Sequence, residues 1–304
     1  MGATQRSTAA LMGTTVTVLT VDAPSQLNRY LLWRLESLEA AWSRFRPDSE
    51  VSTLNRRAGE FVHVSDETFE LVEKAVFAKQ VSGGRFDPLL LAPLEALGYD
   101  QTFSEVERVD AALPEAWHRP FEEIVVDHAS SAVRIPVACG FDPGGIGKGL
   151  AADLVAGEAI DRGATGVMVS IGGDIRVIGT PPDGPTWGIR LREATVDDDL
   201  DETLGLLSGA VATSTSKKRA WGPGRHHLLD ATTARPLATN DDGSHAVLVT
   251  VVAGEAWYAD AMTKACFADP AVPLDGVSAL VVTEAGNRSM TGAFESFLAT
   301  EGCA

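Results

Sequence analysis

The sequence predicts an α/β (α+β) protein in which sheets pack against helices, and three stretches carry that reading. In residues 141–174 a short apolar lead runs into four glycines around Lys148, then a helical run, then an alternating strand. In residues 27–45 apolar side chains recur at helical spacing. In residues 246–268 a β-branched run is followed by an apolar helical segment.

Taken in order, Val16, Val18 and Thr20 alternate as in a strand after Met12-Gly13. Pro24 suits the first turn of a helix. Leu27, Leu31, Leu35, Leu38, Trp42 and Phe45 then mark one apolar stripe, which ends at the turn-rich Arg46-Pro47-Asp48-Ser49. Ser65 is the N-cap of a second helix carrying Phe69, Val72, Val76 and Phe77, closed by Gly83-Gly84. Residues 100–120 are charged and aperiodic, a surface excursion, and 124–126 with 133–135 read as a hairpin feeding the glycine-rich stretch. Leu150, Ala151, Leu154, Val155 and Ala159 form the helix there, and Val167, Val169 and Ile171 the strand running into Gly172-Gly173-Asp174. Further strands are expected at 175–178, 187–192, 204–213, 246–252 and 278–283, a short one at 226–230, and a helix at 255–268. The acidic run 193–202 reads as a solvated loop, and 214–225 as a basic loop carrying Lys217, Lys218, Arg219 and Arg225.

A chain of 304 residues with 45% hydrophobic content buries a substantial core, and a single domain spanning 1–304 is expected. The formal net charge of −17 argues against nucleic acid or an anionic membrane surface as partner. The three cysteines (Cys139, Cys266, Cys303) are not spaced for zinc or a disulfide framework, which points to a reducing compartment. With no apolar signal core at the N-terminus and no run long enough to span a bilayer, a soluble cytoplasmic protein is expected.

Glycines leading into a helix start form a nest of backbone N–H groups at the positive end of the helix dipole, which suits a phosphate. Lys148 adds a charged donor, whereas Asp142 and Asp174 repel phosphate unless a cation or hydroxyl intervenes. Neither a dinucleotide fingerprint nor a P-loop is matched, so a tight strand–helix connection remains an equal reading of these residues alone. Asp260 and Thr263 lie three apart on one helical face, either as part of a hard-cation site or with Thr263 bonding back to its own helix. On a strand, His226 and His227 face opposite ways, so one of them enters a given pocket and can relay a proton. Serine and cysteine nucleophile patterns are absent.

Eight dispersed motifs occur in one order. They are Met12-Gly13-Thr14; Ser43-Arg44-Phe45-Arg46-Pro47-Asp48-Ser49 with Asn55; Gly84-Arg85-Phe86-Asp87-Pro88; and Asp142-Pro143-Gly144-Gly145-Ile146-Gly147-Lys148-Gly149. Gly172-Gly173-Asp174, Ala212-Thr213-Ser214, His227-Leu228-Leu229-Asp230 and Ala259-Asp260-Ala261 follow. Together, over roughly residues 11–268, they resemble the ApbE family of FAD:protein FMN transferases. The resemblance implies a single ApbE-like (T-fold-related) unit with mixed sheets, packed helices and an FAD groove between its halves. It implies Mg2+-assisted transfer of FMN from FAD to a threonine hydroxyl of an acceptor flavoprotein, with release of AMP. Flavin contacts are implied from Met12, Phe45, Arg85, Phe86, Asp87, Asp142, Lys148 and one of Leu228 or Leu229. Metal contacts are implied from the Gly145 carbonyl, Asp260 and Thr263, and catalytic roles for His227, Asp260 and Lys148. Three departures stand out. Lys264 takes the place of the family's threonine four residues after the ligand aspartate, so that Thr263 substitutes or an ammonium takes part of the cation's place. The turn 230–234 lacks the family's proline and glycine, and Ser214-Thr215-Ser216 lacks its Ser-Gly pair. An FAD-hydrolysing relative with an altered metal site, and an acidic scaffold without cofactor, are the alternatives.

Overall fold

The computed structural model describes residues 2–109, 123–193, 197–237 and 242–299. The chain opens with a hairpin of β1 (Thr4–Leu11) and β2 (Thr14–Val21). Met12 and Gly13 turn it with φ of 53° and 66°, the left-handed pair that two-residue hairpins require. Four helices and a small sheet follow: α1 (Leu27–Trp42), α2 (Glu50–Arg56), β3 (Val62–His63), α3 (Asp66–Val81), α4 (Leu91–Ala96), β4 (Val125–Asp127) and β5 (Ala132–Arg134). Then come α5 (Gly147–Asp161), β6 (Gly166–Ile171), β7 (Asp174–Gly179), and the pair β8 (Trp187–Glu193) and β9 (Asp197–Leu206). The last elements are β10 (Gly209–Thr215), β11 (Ala220–Gly222), β12 (Arg225–His226), β13 (Ala246–Ala253), α6 (Ala256–Ala268), β14 (Ser278–Thr283) and β15 (Arg288–Thr291).

Eight strands form the main sheet in the order β1-β2-β6-β7-β10-β13-β14-β15, and every neighbouring pair in it is antiparallel. All of β13 is buried, so both faces of the sheet are covered. Successive side chains alternate between those faces. Val249 and Val251 join a core with Leu35, Leu150, Val155 and Met262 of the helices. Leu248 and Val252 join another with Trp187, Ile189, Leu200 and Leu204 of the β8–β9 pair.

That second core corrects the expected loop at 193–202, because β9 begins at Asp197 and pairs with β8. Leu200, Leu204 and Leu206 point into the core while Asp201 pairs outward with Arg190, so the acidic residues interleaved in the sequence hid the period of two. The strand expected at 204–213 divides at a turn carrying the exposed Leu207, and β10 starts at Gly209. Helix α1 stops at Trp42, which leaves Phe45 outside it. Ser65 does cap α3, its Oγ accepting from the Thr68 N–H at 3.3 Å. The expected surface excursion at 100–120 lies partly outside the described residues. Among those residues no helix is long and apolar enough to cross a membrane.

Two contacts join α5 to α6 and thereby place the site. A Cβ added at Gly149 would lie 2.2 Å from the Ala256 carbonyl oxygen and 2.7 Å from the Trp257 Cα, so the helices touch backbone to backbone there. Asp153 of α5 then caps α6, accepting from the Ala256 N–H at 2.9 Å and the Trp257 N–H at 2.8 Å, while Glu255 at the N-cap makes no side-chain bond to the helix backbone. Gly149→Ala is therefore expected to lower unfolding free energy by about 1–3 kcal/mol in urea titration, the usual cost of overpacking. A midpoint equal to the parent's would show that the helices have room to part.

Candidate active site

The N-terminus of α5 and the middle of α6 meet at the floor of a cleft. Asp260, on α6, is fully buried and has both carboxylate oxygens engaged by ammonium groups. Lys148 Nζ lies 3.3 Å from Asp260 Oδ2 and 2.9 Å from Asp174 Oδ2, and donates to the Gly144 carbonyl at 3.3 Å. From the next turn of α6, Lys264 Nζ contacts Asp260 Oδ1 and donates to the Asp260 carbonyl at 2.9 Å. The Gly149 N–H adds a long bond of 3.4 Å to Asp260 Oδ2. Burial opposes the charge on Asp260, but Lys148 and Lys264 outweigh it and hold its pKa below the ordinary carboxylate value. Burial likewise opposes the charge on Lys148, and Asp174 with Asp260 raise its pKa above the ordinary lysine value. For Lys264 burial prevails and the pKa falls, with Lys148 facing it as a like charge. For Asp174 burial and the Asp260 charge prevail over Lys148, and the pKa rises.

Around this floor the cleft is walled by Met12, Phe45, Phe86, Leu90, Tyr99, Phe103, Leu228, Leu229 and Leu237, with Arg44, Arg85, Arg219 and His227 among its polar groups. The Arg44 guanidinium stacks 4.2 Å from the Phe45 ring centre and 4.6 Å from that of Tyr99, and its Nε lies 3.4 Å from Asp142 Oδ1. Tyr99 is in turn packed on Trp221, and Trp221 Nε1 donates to the Leu97 carbonyl at 2.8 Å. Met12 reaches the cleft from the β1–β2 turn, its N–H donating to Glu39 Oε1 at 2.8 Å. His227 is unusual: its Nδ1 is buried and has no hydrogen-bond partner among the described residues. Burial, together with the nearby Arg219 and Lys264 charges, drives its pKa well below that of free histidine, so the imidazole is neutral at pH 7.

A glycine-rich helix start, a lysine–aspartate floor and an aromatic wall are thus assembled from segments more than 200 positions apart in sequence, as Phe45 and Lys264 illustrate. The ApbE family profile matches residues 12–275. The chain belongs to the ApbE family. It is 27% identical over 263 residues to an FAD:protein FMN transferase of Vibrio cholerae, covering 83% of this chain and 77% of that one. It is 28% identical over 255 residues to one of Treponema pallidum, covering 77% and 68%. The crystal structure of the ApbE protein from Thermotoga maritima is similar with a TM-score of 0.86 at 27% identity, covering 98% of this chain and all of that one. The apo flavinyl transferase ApbE of Pseudomonas stutzeri gives 0.81 at 24% identity, covering 98% of each chain.

Met12, Phe45, Arg85, Phe86, Asp87, Asp142, Lys148, Leu228 and Leu229, the residues through which the ApbE resemblance implies flavin contact, all border this cleft. Leu228 and Leu229 do so together with His227, because β12 ends at His226 and the strand alternation expected over 226–230 does not hold. His226 stays outside, its Nδ1 accepting from the Leu228 N–H at 3.3 Å. Residues that the resemblance did not assign to flavin, metal or catalysis also line it, among them Arg44, Tyr99, Phe103, Arg219 and Lys264. Arg44 stood inside a quoted motif, Lys264 at a departure from one and Arg219 in the basic loop 214–225, whereas Tyr99 carried no local signal.

The expected metal set differs. Gly145 borders the cleft, but Asp260 and Thr263 are fully buried beneath it. Thr263 donates its hydroxyl proton to the Asp260 carbonyl at 2.7 Å and is held by Ser214 Oγ at 2.8 Å, the back-bonded alternative. A Mg2+ ion requires near-octahedral oxygen ligands at about 2.0–2.1 Å. Here both Asp260 oxygens face ammonium groups, and Lys264 has no lone pair to offer while protonated. The residues present do not fit a divalent cation.

The histidine provides a direct check. In an imidazole NMR titration, His227 is expected to titrate below pH 6.5, and Lys264→Met to raise its pKa by removing one positive neighbour. Its contribution to folding stability is then complete above pH 6.5 and is lost as pH falls through the lowered folded-state value. A value at or above that of free histidine would contradict the burial and charge pattern.

Proposed function

We propose that this protein transfers the FMN part of FAD to a threonine hydroxyl of an acceptor protein and releases AMP. The observation that carries the reading is the convergence of Lys148, Lys264, Arg219 and neutral His227 on one side of an aromatic cleft. The names of the Vibrio cholerae and Treponema pallidum relatives support it. Phosphoryl transfer needs positioning and charge neutralisation more than covalent help from the protein. The wall formed by Phe45, Tyr99 and Phe103 offers aromatic surface to the flavin and adenine rings. At the floor, the α5 N-terminus with Lys148 and Lys264 faces the diphosphate. The acceptor oxygen forms a bond to the phosphorus of the FMN half. The bond from that phosphorus to the bridging oxygen breaks, and AMP leaves with the electron pair. The hydroxyl proton passes to the His227 imidazole, which is neutral and therefore able to accept it.

A second reading, hydrolysis of FAD to FMN and AMP, is favoured by the lysine on Asp260, which sets this floor apart from a metal site. The two separate on incubation with FAD and an acceptor protein of the Vibrio cholerae relative. Transfer yields a fluorescent acceptor band with the mass gain of FMN, whereas hydrolysis yields AMP without acceptor labelling. Under transfer, His227→Ala is expected to lower kcat by about 10²–10⁴ with little change in KM, the usual span for losing a general base. Lys148→Ala is expected to lower kcat by about 10²–10³, as for one lost charge-stabilising donor, with thermal melting used to confirm folding. Parental kcat in His227→Ala would remove the histidine from the mechanism.

A further inference from the structure

We propose that the Lys264 ammonium stands in the place of a divalent cation in this cleft, so that flavin transfer by this protein proceeds without added metal. The inference rests on the transfer reading above for its activity arm. Its structural basis is the position of one nitrogen. Lys264 Nζ sits on the Asp260 carbonyl, at 2.9 Å, and on Asp260 Oδ1, a pair of hard oxygens of the kind a small cation takes. The lysine stem reaches that point along Gly145, where an added Cβ would lie 3.2 Å from Lys264 Cε and 3.2 Å from Phe86 Cε2. Lys264 borders the cleft, so its charge faces whatever binds there.

Charge balance gives the same answer. Lys148 and Lys264 together offset Asp174 and Asp260, and Arg219 brings a further positive charge to the cleft. With a neutral side chain at 264, Lys148 and Arg219 would only balance the two carboxylates, and a diphosphate arriving there would meet no net positive charge until a divalent ion reversed that balance. With Lys264 that reversal is built into the chain. An added cation seeking the same oxygens would have to displace one ammonium and lie beside the other. Thr263, the remaining oxygen on that helix face, has its proton on the Asp260 carbonyl and a bond from Ser214.

The test compares the parent, Lys264→Thr and Lys264→Met, each freed of metal by chelation and assayed in excess EDTA or in millimolar MgCl2. For the parent, the rate of acceptor flavinylation is expected to agree within about twofold in the two buffers. Lys264→Thr, which restores a hydroxyl four residues after Asp260, is expected to fall by about 10²–10³ in EDTA, as for one lost charge-stabilising donor, and to recover with Mg2+. Lys264→Met is expected to stay low in both, with circular dichroism reporting on its fold. A parent that loses more than about tenfold in EDTA and regains it with Mg2+ overturns the proposal. FAD binding, read by flavin fluorescence, decides it independently of transfer. An unchanged parental Kd between buffers supports the ammonium, and a Kd that tightens about tenfold or more with Mg2+ overturns it. Should the parent label no acceptor in either buffer, the transfer reading fails while this binding comparison still decides the role of Lys264.

Discussion

Asp260 keeps its charge in a fully buried position because an ammonium meets each of its oxygens, and the whole cleft depends on that arrangement. Taking an ion out of water costs several kcal/mol, and attraction in a low-dielectric interior repays it only with close, well-satisfied partners. Lys148 comes from the first turn of α5 and Lys264 from α6 itself, so the carboxylate joins two helices in addition to anchoring a charge. The backbone contact at Gly149 lets Lys148 reach across, because any side chain there would hold the helices apart. Packing and electrostatics are the same constraint at this point.

The overall acidity of the chain and the cations of the cleft act over different distances. A formal charge of −17 spread over the surface is screened within about 8 Å at physiological ionic strength. Within the cleft a ligand comes close to Lys148, Lys264, Arg219 and Arg85, some of them already engaged, as Arg85 is with Asp269 at 2.8 Å. An anionic ligand therefore meets repulsion at range and complementarity on contact, which favours selectivity over speed of capture.

Much of this was readable in the sequence because it is written in local periods. The alternation of β2, the stripe of α1, the Ser65 cap and the strand at 278–283 all survive as expected. Motif order brought together Phe45, Phe86, Lys148 and Leu228, which border one cleft. What escaped depends on contacts distant in sequence. β1 is an edge strand with no apolar alternation to betray it, and α2 spans only seven residues, too few for a helical period. The acidic sequence around β9 concealed its buried leucines. Tyr99 earns its place in the wall through Trp221, more than 120 positions away, and no short window contains both. The state of His227 likewise follows from Arg219 and Lys264 converging in space, which residue spacing does not encode.

The cap that Asp153 places on α6 spans 103 positions of chain. The loops threaded between the two helices, including those of the separate β8–β9 ribbon, can gain or lose residues without altering the axial setting of α6 against α5. Loop closure grows only slowly more costly with length, so such insertions carry little thermodynamic penalty. Relatives of this chain are thus free to elaborate that ribbon while the spacing between Lys148 and Asp260 stays constant, separating the part of the molecule that can diversify from the part that cannot.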